Sequence, residues 1–317
     1  MNKLLFLLLL STGILFLSND LMAQEPAATE DVASPFPDVK TRNPEQNAQW
    51  KQGQGKFSAR PRDMWELGIG AGSFLVTGDV PATLPGGLGL HLHARKAINY
   101  AISIRGELTF GQASGLDYRL MGNAHGTREY PEIGALYNGV MPRAYRARYY
   151  GAEVQGIVNI GNLLFHKQSN KWNLYMLLGI GLHTHDTRMD FLDNNGNPYD
   201  FTGIPSDATT QGERRERRAA IRDILDGDYE TRGSIKATGF RLNDNMNLLG
   251  HLTAGVGVSR RLSRRVNLAL EYNVKFADND HVDGVIYRNA TSLTNNRDIL
   301  HFTSLRLGIN LGSFDTR

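Results

Sequence analysis

Residues 245–277 read NMNLLGHLTAGVGVSRRLSRRVNLALEYNVKFA, two strand-like runs joined by a basic turn. Met246, Leu248, Gly250, Leu252, Ala254, Val256 and Val258 alternate with Asn247, Leu249, His251, Thr253, Gly255, Gly257 and Ser259, a period of two rather than the helical ~3.6. After Arg260-Arg261-Leu262-Ser263-Arg264-Arg265 the alternation resumes. Val266, Leu268, Leu270, Tyr272, Val274 and Phe276 now form one face, and Asn267, Ala269, Glu271, Asn273 and Lys275 the other. One face is a continuous apolar band, while the other carries charge in mid-strand. By itself the hairpin fits a soluble sandwich, whose apolar face meets a second sheet, and equally a membrane barrel, whose apolar face meets lipid.

The same pattern recurs outward from this hairpin. A first strand carries Trp65, Leu67, Ile69, Ala71 and Leu75 against Glu66, Gly68, Gly70 and Gly72; a second, 86–96, sets Leu88, Leu90, Leu92 and Ala94 against His91, His93 and Arg95. A third, 100–110, opposes Ile102, Ile104, Leu108 and Phe110 to Ser103, Arg105, Glu107 and Thr109. A fourth spans 148–160, a fifth carries Trp172 to Leu182, and an eighth carries Thr303, Leu305, Leu307, Ile309 and Leu311. The glycines of GIGAGS (68–73) lack the third glycine and the following helix of a dinucleotide fingerprint, so close packing inside a small barrel is their simpler account.

Connection lengths decide between the two folds. Those after the second, fourth and sixth strands are the shorter ones, and those after the third, fifth and seventh are long (111–146, 183–244 and 278–298), with an intermediate one after the first. Such sorting places short turns at one end and large loops at the other, as in outer-membrane barrels, and Greek-key sandwiches have no reason for it. Trp65, Tyr100 and Trp172 begin the upward strands, and Phe110, Tyr150 and Phe276 lie at the opposite ends, giving two aromatic belts. The expected fold is therefore all-β, an eight-stranded antiparallel transmembrane β-barrel over 64–312, with long extracellular loops of which one carries a short helix, followed by a tail at 313–317.

Composition agrees and narrows the compartment. Lys3, the apolar run Leu4–Ser18 and Leu21-Met22-Ala23 before Gln24 form a signal peptide over 1–23, too short an apolar run for a spanning helix. Residues 24–63, rich in Pro, Gln and Gly, read as a flexible periplasmic segment on which Trp50 and Phe57 are the only docking candidates. With Cys 0, disulfides, thiol catalysis and lipidation of a cysteine are excluded, and a net charge of +3 spread over turns and one loop gives no footprint for nucleic acid. The expected location is the cell outer membrane.

If the apolar faces meet lipid, the other faces line the lumen. Arg105, Glu107, Glu153, Gln155, Glu271 and Arg306 all fall near mid-strand, so they meet at one depth. A lumen of this size is filled by side chains, and an unpaired charge there costs about 3–5 kcal/mol. We expect a network in which Arg105 and Arg306 bind Glu153, Glu271 and Glu107 and plug the barrel.

Several stretches carry a resemblance. Gly78-Asp79-Val80, GLGLHLHARKAINYAISIRGELTFGQASGLDY (87–118), LLFHKQSNKWNLYMLLGIG (163–181), DNNGNPYDF (193–201) and LDGDYET (225–231) together resemble the outer-membrane barrel domain of OmpA-family proteins from Bacteroidetes, over nearly all of 64–312. The resemblance implies an eight-stranded barrel with both termini in the periplasm. Many relatives continue into a peptidoglycan-binding domain; this chain stops at Arg317, so tethering to the cell wall is not part of the expectation.

Other candidates are weaker. The pairs His91/His93 and His183/His185 each share a strand face, as some metal sites require, but they lie on strands that are not neighbours and read as polar lining. Asp193-Asn194-Asn195-Gly196-Asn197, and the cluster Asp278, Asp280 and Asp283, lack the position-6 glycine and position-12 glutamate of an EF-hand, so turn chemistry explains them; no metal or cofactor is expected. The stretch 213–226 reads as a helix with an apolar stripe of Ile221, Ile224 and Leu225. Its Arg214, Arg215, Arg217 and Arg218 are candidates for contact with lipopolysaccharide phosphates or an envelope protein partner. A lipid-modifying enzyme needs a His with Ser or an acid at the membrane rim, and His185 with Asp186 is the nearest approach. The expected function is thus a non-enzymatic structural or surface-interaction barrel of the OmpA type in contact with outer-membrane lipid and lipopolysaccharide. The alternatives are a narrow pore or accessory barrel of a larger envelope or secretion complex, and a lipid-modifying outer-membrane enzyme.

Overall fold

The computed structural model describes residues 42–54, 64–99, 101–160, 172–205, 208–233, 240–243, 246–263, 265–277, 280–289, 291–293 and 297–311. The expected signal peptide, Tyr100, Phe57, the side chain of Trp50 and the tail 313–317 lie outside them. Eight long strands form the body: β1 (Trp65–Thr77), β2 (Gly87–Ala97), β3 (Ile102–Leu116), β4 (Ala144–Asn159), β5 (Trp172–Met189), β6 (Met246–Arg261), β7 (Val266–Ala277) and β8 (Ile299–Asn310). Each pairs antiparallel with its neighbour in sequence, and β8 pairs with β1 from Thr77↔Ile299 to Glu66↔Asn310, closing the barrel. Two short strands, Thr231–Arg232 and Phe240–Asn243, extend the sheet at the edges of β5 and β6.

Closure leaves no free sheet edge, so every strand satisfies its backbone polar groups inside the wall. The outer face then needs no polar atoms: Ile180 and Leu178 are 67% and 72% exposed, whereas Leu177, one residue away on the other face, is 2% exposed. An apolar surface of that extent on every strand is a lipid-facing surface. Its lower border carries Trp65 and Trp172, with Lys96 5.0 Å above the first ring and Arg260 5.1 Å above the second, cations that reach past the aromatic belt toward water. The upper border holds Phe110 and Tyr150, Cα partners across β3 and β4 whose rings meet edge to face, together with Phe276 on β7.

Three strands outrun the sequence expectation. β3 continues to Leu116 rather than ending at Phe110, β4 starts at Ala144 rather than Arg148, and β5 reaches Met189 rather than Leu182. Above the belt their outward residues are Gln112, Arg148 and Arg188, so the apolar alternation fades although the pairing continues to Leu116↔Ala144 and Tyr145↔Met189. At about 3.4 Å per residue the six residues beyond Phe110 extend this part of the wall by roughly 20 Å along the tilted strand, beyond the belt.

Helices also depart from the expectation. The segment 24–63, expected to be flexible, contains α1 (Pro44–Lys51), started by Asn43, whose side chain accepts a hydrogen bond from Gln46 N, and by Pro at the first helical position. The loop after β3 holds two short turns of helix, α2 (Asn123–Glu129) and α3 (Pro131–Gly134), too short to show a period in sequence. The expected loop helix is α4 (Gln211–Ile224), with a reciprocal capping box between Thr210 and Glu213.

If the outer face meets lipid, a charge placed there is expelled from hydrocarbon. Ile180→Arg is expected to destabilise the barrel in bilayers by about 2–4 kcal/mol in urea titrations. Leu293→Arg, equally exposed but in a loop hairpin, stays within about 0.5 kcal/mol of wild type.

Candidate functional site

The inward face of the barrel collects its charges at one level because the strand register puts them there. Arg105 on β3 lies opposite Gln155 on β4, Glu107 opposite Glu153, and Glu271 on β7 opposite Ser304 on β8. All are buried. The Arg105 guanidinium spans the lumen to β7, donating to both oxygens of Glu271 at 2.8 and 2.7 Å, and its Nε donates to Gln155 Oε1 at 2.5 Å. Arg306 on β8 donates to Glu107 Oε2 at 2.5 Å and reaches Glu271 Oε1 at 2.7 Å. Glu271 also accepts from Tyr175 of β5 at 2.6 Å and from Asn273 at 2.8 Å.

Glu153 stands differently from the expectation. Its partners are Lys275 of β7, Thr253 and His251 of β6 (His251 Nε2 at 3.2 Å) and Gln155 at 2.8 Å, in place of either arginine. The register explains the exchange: Thr253 is the Cα partner of Lys275, so β6 and β7 bring both toward the β4 carboxylate while Arg105 and Arg306 saturate Glu107 and Glu271. Lys275 is four residues from Glu271 on the same strand face, a period-two relation visible in the sequence but absent from the expected network. At mid-lumen the described residues thus set three cations, Arg105, Lys275 and Arg306, against three carboxylates, Glu107, Glu153 and Glu271.

Space for these side chains comes from glycines on the facing strands. A methyl group at Gly70 of β1 would lie 2.0 Å from the His91 ring, and one at Gly257 of β6 would lie 2.3 Å from the Tyr175 ring. The histidines line this space: His91 and His93 stack at 5.4 Å, Nδ1 of His91 lies 3.3 Å from Arg306, and His183 lies 3.3 Å from His251. Below them Glu66 meets His93 at 3.4 Å and Asn267 at 2.7 Å, and Arg95 donates to Asn159 at 3.0 Å. No group of three or more His, Asp or Glu side chains among the described residues could hold a metal ion.

Above the network the loops close the mouth. Phe74, Val76, Phe302 and Leu300 point inward from the tops of β1 and β8 and join Tyr145, Tyr149, Met189, Met141, Phe191, Val282 and Val285 in one apolar cluster. The β7–β8 loop sits within it: Thr187 Oγ1 donates to Val282 O, Tyr130 to Gly284 O, and Ile286 N donates to Glu129 at 2.5 Å. The β5–β6 loop packs on top through Ile221, Ile224 and Leu225 of α4. At its base burial pushes the Asp190 carboxyl up to about 7, although Tyr199 and Gly227 N both donate to it.

The arginines of α4 divide. Arg214 and Arg215 are exposed, the first with its guanidinium 5.3 Å from the Tyr118 ring, whereas Arg217 and Arg218 are half-buried on the side of Ile221. This corrects the expectation of four outward arginines: an amphipathic helix with an apolar stripe of three residues must turn part of a dense basic run inward. Asp193 accepts from the backbone of Asn195 and Asn197, with Gly196 at φ 82°, so its loop is an Asx-type turn. His185 faces the interior and is 4% exposed, while Asp186 faces outward to Arg188 and Arg232, so alternation separates the pair that catalysis would join.

No protein-family model matches this chain, and no curated protein matches it. Among solved structures it is similar to Ail, the attachment invasion locus protein of Yersinia pestis, in complex with the heparin analogue sucrose octasulfate (11% identity, TM-score 0.37, covering 78% of this chain and 98% of that one). It is also similar to a major outer membrane protein from Thermus thermophilus (12%, TM-score 0.38, 78% and 99%) and to Neisserial surface protein A (8%, TM-score 0.37, 78% and 96%). The closed wall of eight strands with its apolar outer face is the fold of an outer-membrane β-barrel.

Removing one partner of the central network leaves a buried charge. Glu271→Ala is expected to cost about 3–5 kcal/mol by chemical denaturation in lipid, and Glu271→Gln, which keeps the shape and most hydrogen bonds, less.

Proposed function

We propose that the chain is a closed outer-membrane barrel with a structural and surface-interaction role, its lumen sealed against diffusion and its loop cap offered to the outside. The observation that carries this reading is the set of braces across mid-lumen, in which Arg105 joins β3 to β7 and Arg306 joins β8 to β3 through carboxylates that are fully buried. Guanidinium groups bound to carboxylates by short, charge-assisted hydrogen bonds across the lumen support closure at that depth. Membership of the OmpA-type barrels belongs to the same reading and rests on the segments 87–118, 163–181, 193–201 and 225–231. The role is non-enzymatic, in keeping with the separation of His185 from Asp186.

In planar bilayers the purified barrel is expected to show no stable conducting state; a sustained, ion-selective open level would overturn the sealed reading. For the surface role, Arg214 and Arg215 are exposed arginines near the start of α4, open to lipopolysaccharide phosphates or an acidic partner. Cells carrying Arg214→Ala with Arg215→Ala are expected to become more sensitive to detergent and bile salts, with barrel levels unchanged. Unaltered sensitivity would remove the phosphate contact from the reading.

A further inference from the structure

Two carboxyl groups meet inside the loop cap. Asp283, in the β7–β8 loop, and Asp298, just before the top of β8, are both 0% exposed, and their side chains converge over Gly78 at the top of β1. A methyl group on Gly78 would lie 2.0 Å from Asp298 Oδ1 and 2.6 Å from Asp283 Oδ2, so only glycine leaves room for the pair. Backbone donors hold both groups: Val80 N to Asp283 Oδ2 at 2.9 Å, Val285 N to Asp283 Oδ1 at 3.0 Å, Val282 N to Asp298 Oδ2 at 2.7 Å and Asp283 N to Asp298 Oδ2 at 3.3 Å, with a further backbone hydrogen bond from Asp79 to Asp283. Asp298 Oδ1 is buried, has no hydrogen-bond partner in the structure, and lies with Asp283 Oδ2 over the same point above Gly78.

We propose that Asp283 and Asp298 share one proton and that this proton latches the loop cap over the barrel mouth: the cap is shut while the pair holds it and released once the proton is lost to water and both groups are ionised.

The surroundings favour the protonated pair. The charged groups acting on it are further carboxylates, Asp79 from the β1–β2 loop and Asp280 from its own loop, and Tyr145 faces it from β4. Of the cations on neighbouring segments, Arg119 pairs with Asp117 at 2.8 Å, Arg143 lies 3.9 Å from the same carboxylate, and Arg297, next to Asp298 in the chain, is exposed. His281 lies in the same loop, next to His185 of β5. Burial, with its neighbouring carboxyl, pushes Asp298 well above the usual carboxylate range, and burial pushes Asp283 from 3.8 up to about 7. The sign follows. The closed pair holds a proton that an opened, hydrated pair has lost once pH exceeds the ordinary carboxylate range, so closure is favoured in acid and weakens as pH rises.

Those two residues tie together the first loop, through Val80, and the last, through Val282 and Val285. Repulsion between two ionised carboxylates therefore acts on the contact that seats Val282 and Val285 in the apolar cluster. This latch concerns the cap alone and is independent of whether the lumen conducts.

Because the natural chain has no cysteine, a single introduced thiol reports opening. Maleimide labelling of Val285→Cys, buried in the cap, is measured against Ser292→Cys, exposed in the same loop, which corrects for thiol ionisation. In reconstituted barrels the corrected rate is expected to rise roughly tenfold or more from about pH 5.5 to about pH 8.5. Asp298→Asn, whose amide can donate to Asp283 as the shared proton does, is expected to hold the rate low at both pH values, and Asp190→Asn to keep the wild-type profile. A corrected rate that stays flat in the otherwise wild-type barrel overturns the latch without any variant of the pair. So does a rise that survives Asp298→Asn, or opening at about pH 5.5 on addition of a chelator, which would put a metal ion where the proton is proposed.

Discussion

An eight-stranded barrel encloses a space just wide enough for its own side chains, and that narrowness governs the rest of the structure. A charge that enters such a space loses water and must find its counter-charge inside. Arg105, Arg306 and Lys275 against Glu107, Glu271 and Glu153 meet that demand within one layer. The solution constrains backbone as well as side chains. Gly70 and Gly257 exist where a methyl group would collide with His91 and Tyr175, so both glycines, the first from the GIGAGS stretch, are the counterpart of bulky polar residues on the neighbouring strands.

The same network fixes which strands face each other. Hydrogen bonds in the wall join only neighbours, and a barrel so held could slip in register by two residues without exchanging its inner and outer faces. Arg105 to Glu271 links β3 to β7, on opposite sides of the wall, and His251 with Thr253 links β6 to β4. A slip at any one pairing would pull these partners apart by several ångströms, so cross-lumen pairs supply register information that the lipid-facing residues, interchangeable in hydrocarbon, do not carry.

How much of this is legible in the sequence depends on which solvent each residue sees. Within the membrane, apolar residues alternate along every strand's outer face, with Ile157 and Leu177 also turning inward, and the eight strands and the sorted loops follow from that spacing. Above the belt both faces of β3, β4 and β5 lose that contrast, since Gln112, Arg148 and Arg188 meet water, so their last turns of pairing are silent. The six charged or polar residues expected at mid-depth do converge, but the partner of Glu153 depended on how β6 and β7 are offset from β4, a long-range register that no local pattern states. The loop cap was least legible. Val282, Asp283 and Asp298 read as ordinary loop residues until the fold brings them against Gly78 and Phe74.

The two closures of the barrel rest on different chemistry, and that difference assigns them different duties. Arginine keeps its charge across the physiological range and offers a rigid fork of donors, so the mid-lumen braces are insensitive to the medium outside. The cap instead rests on carboxyls with backbone donors and each other for company, at the surface where pH varies. Loosening the cap would uncover Phe74, Tyr145 and Phe191 and still leave Arg105 and Arg306 bound below them. What changes on release is therefore the surface shown to the exterior, while the ion pairs of the guanidinium layer stay in place below it.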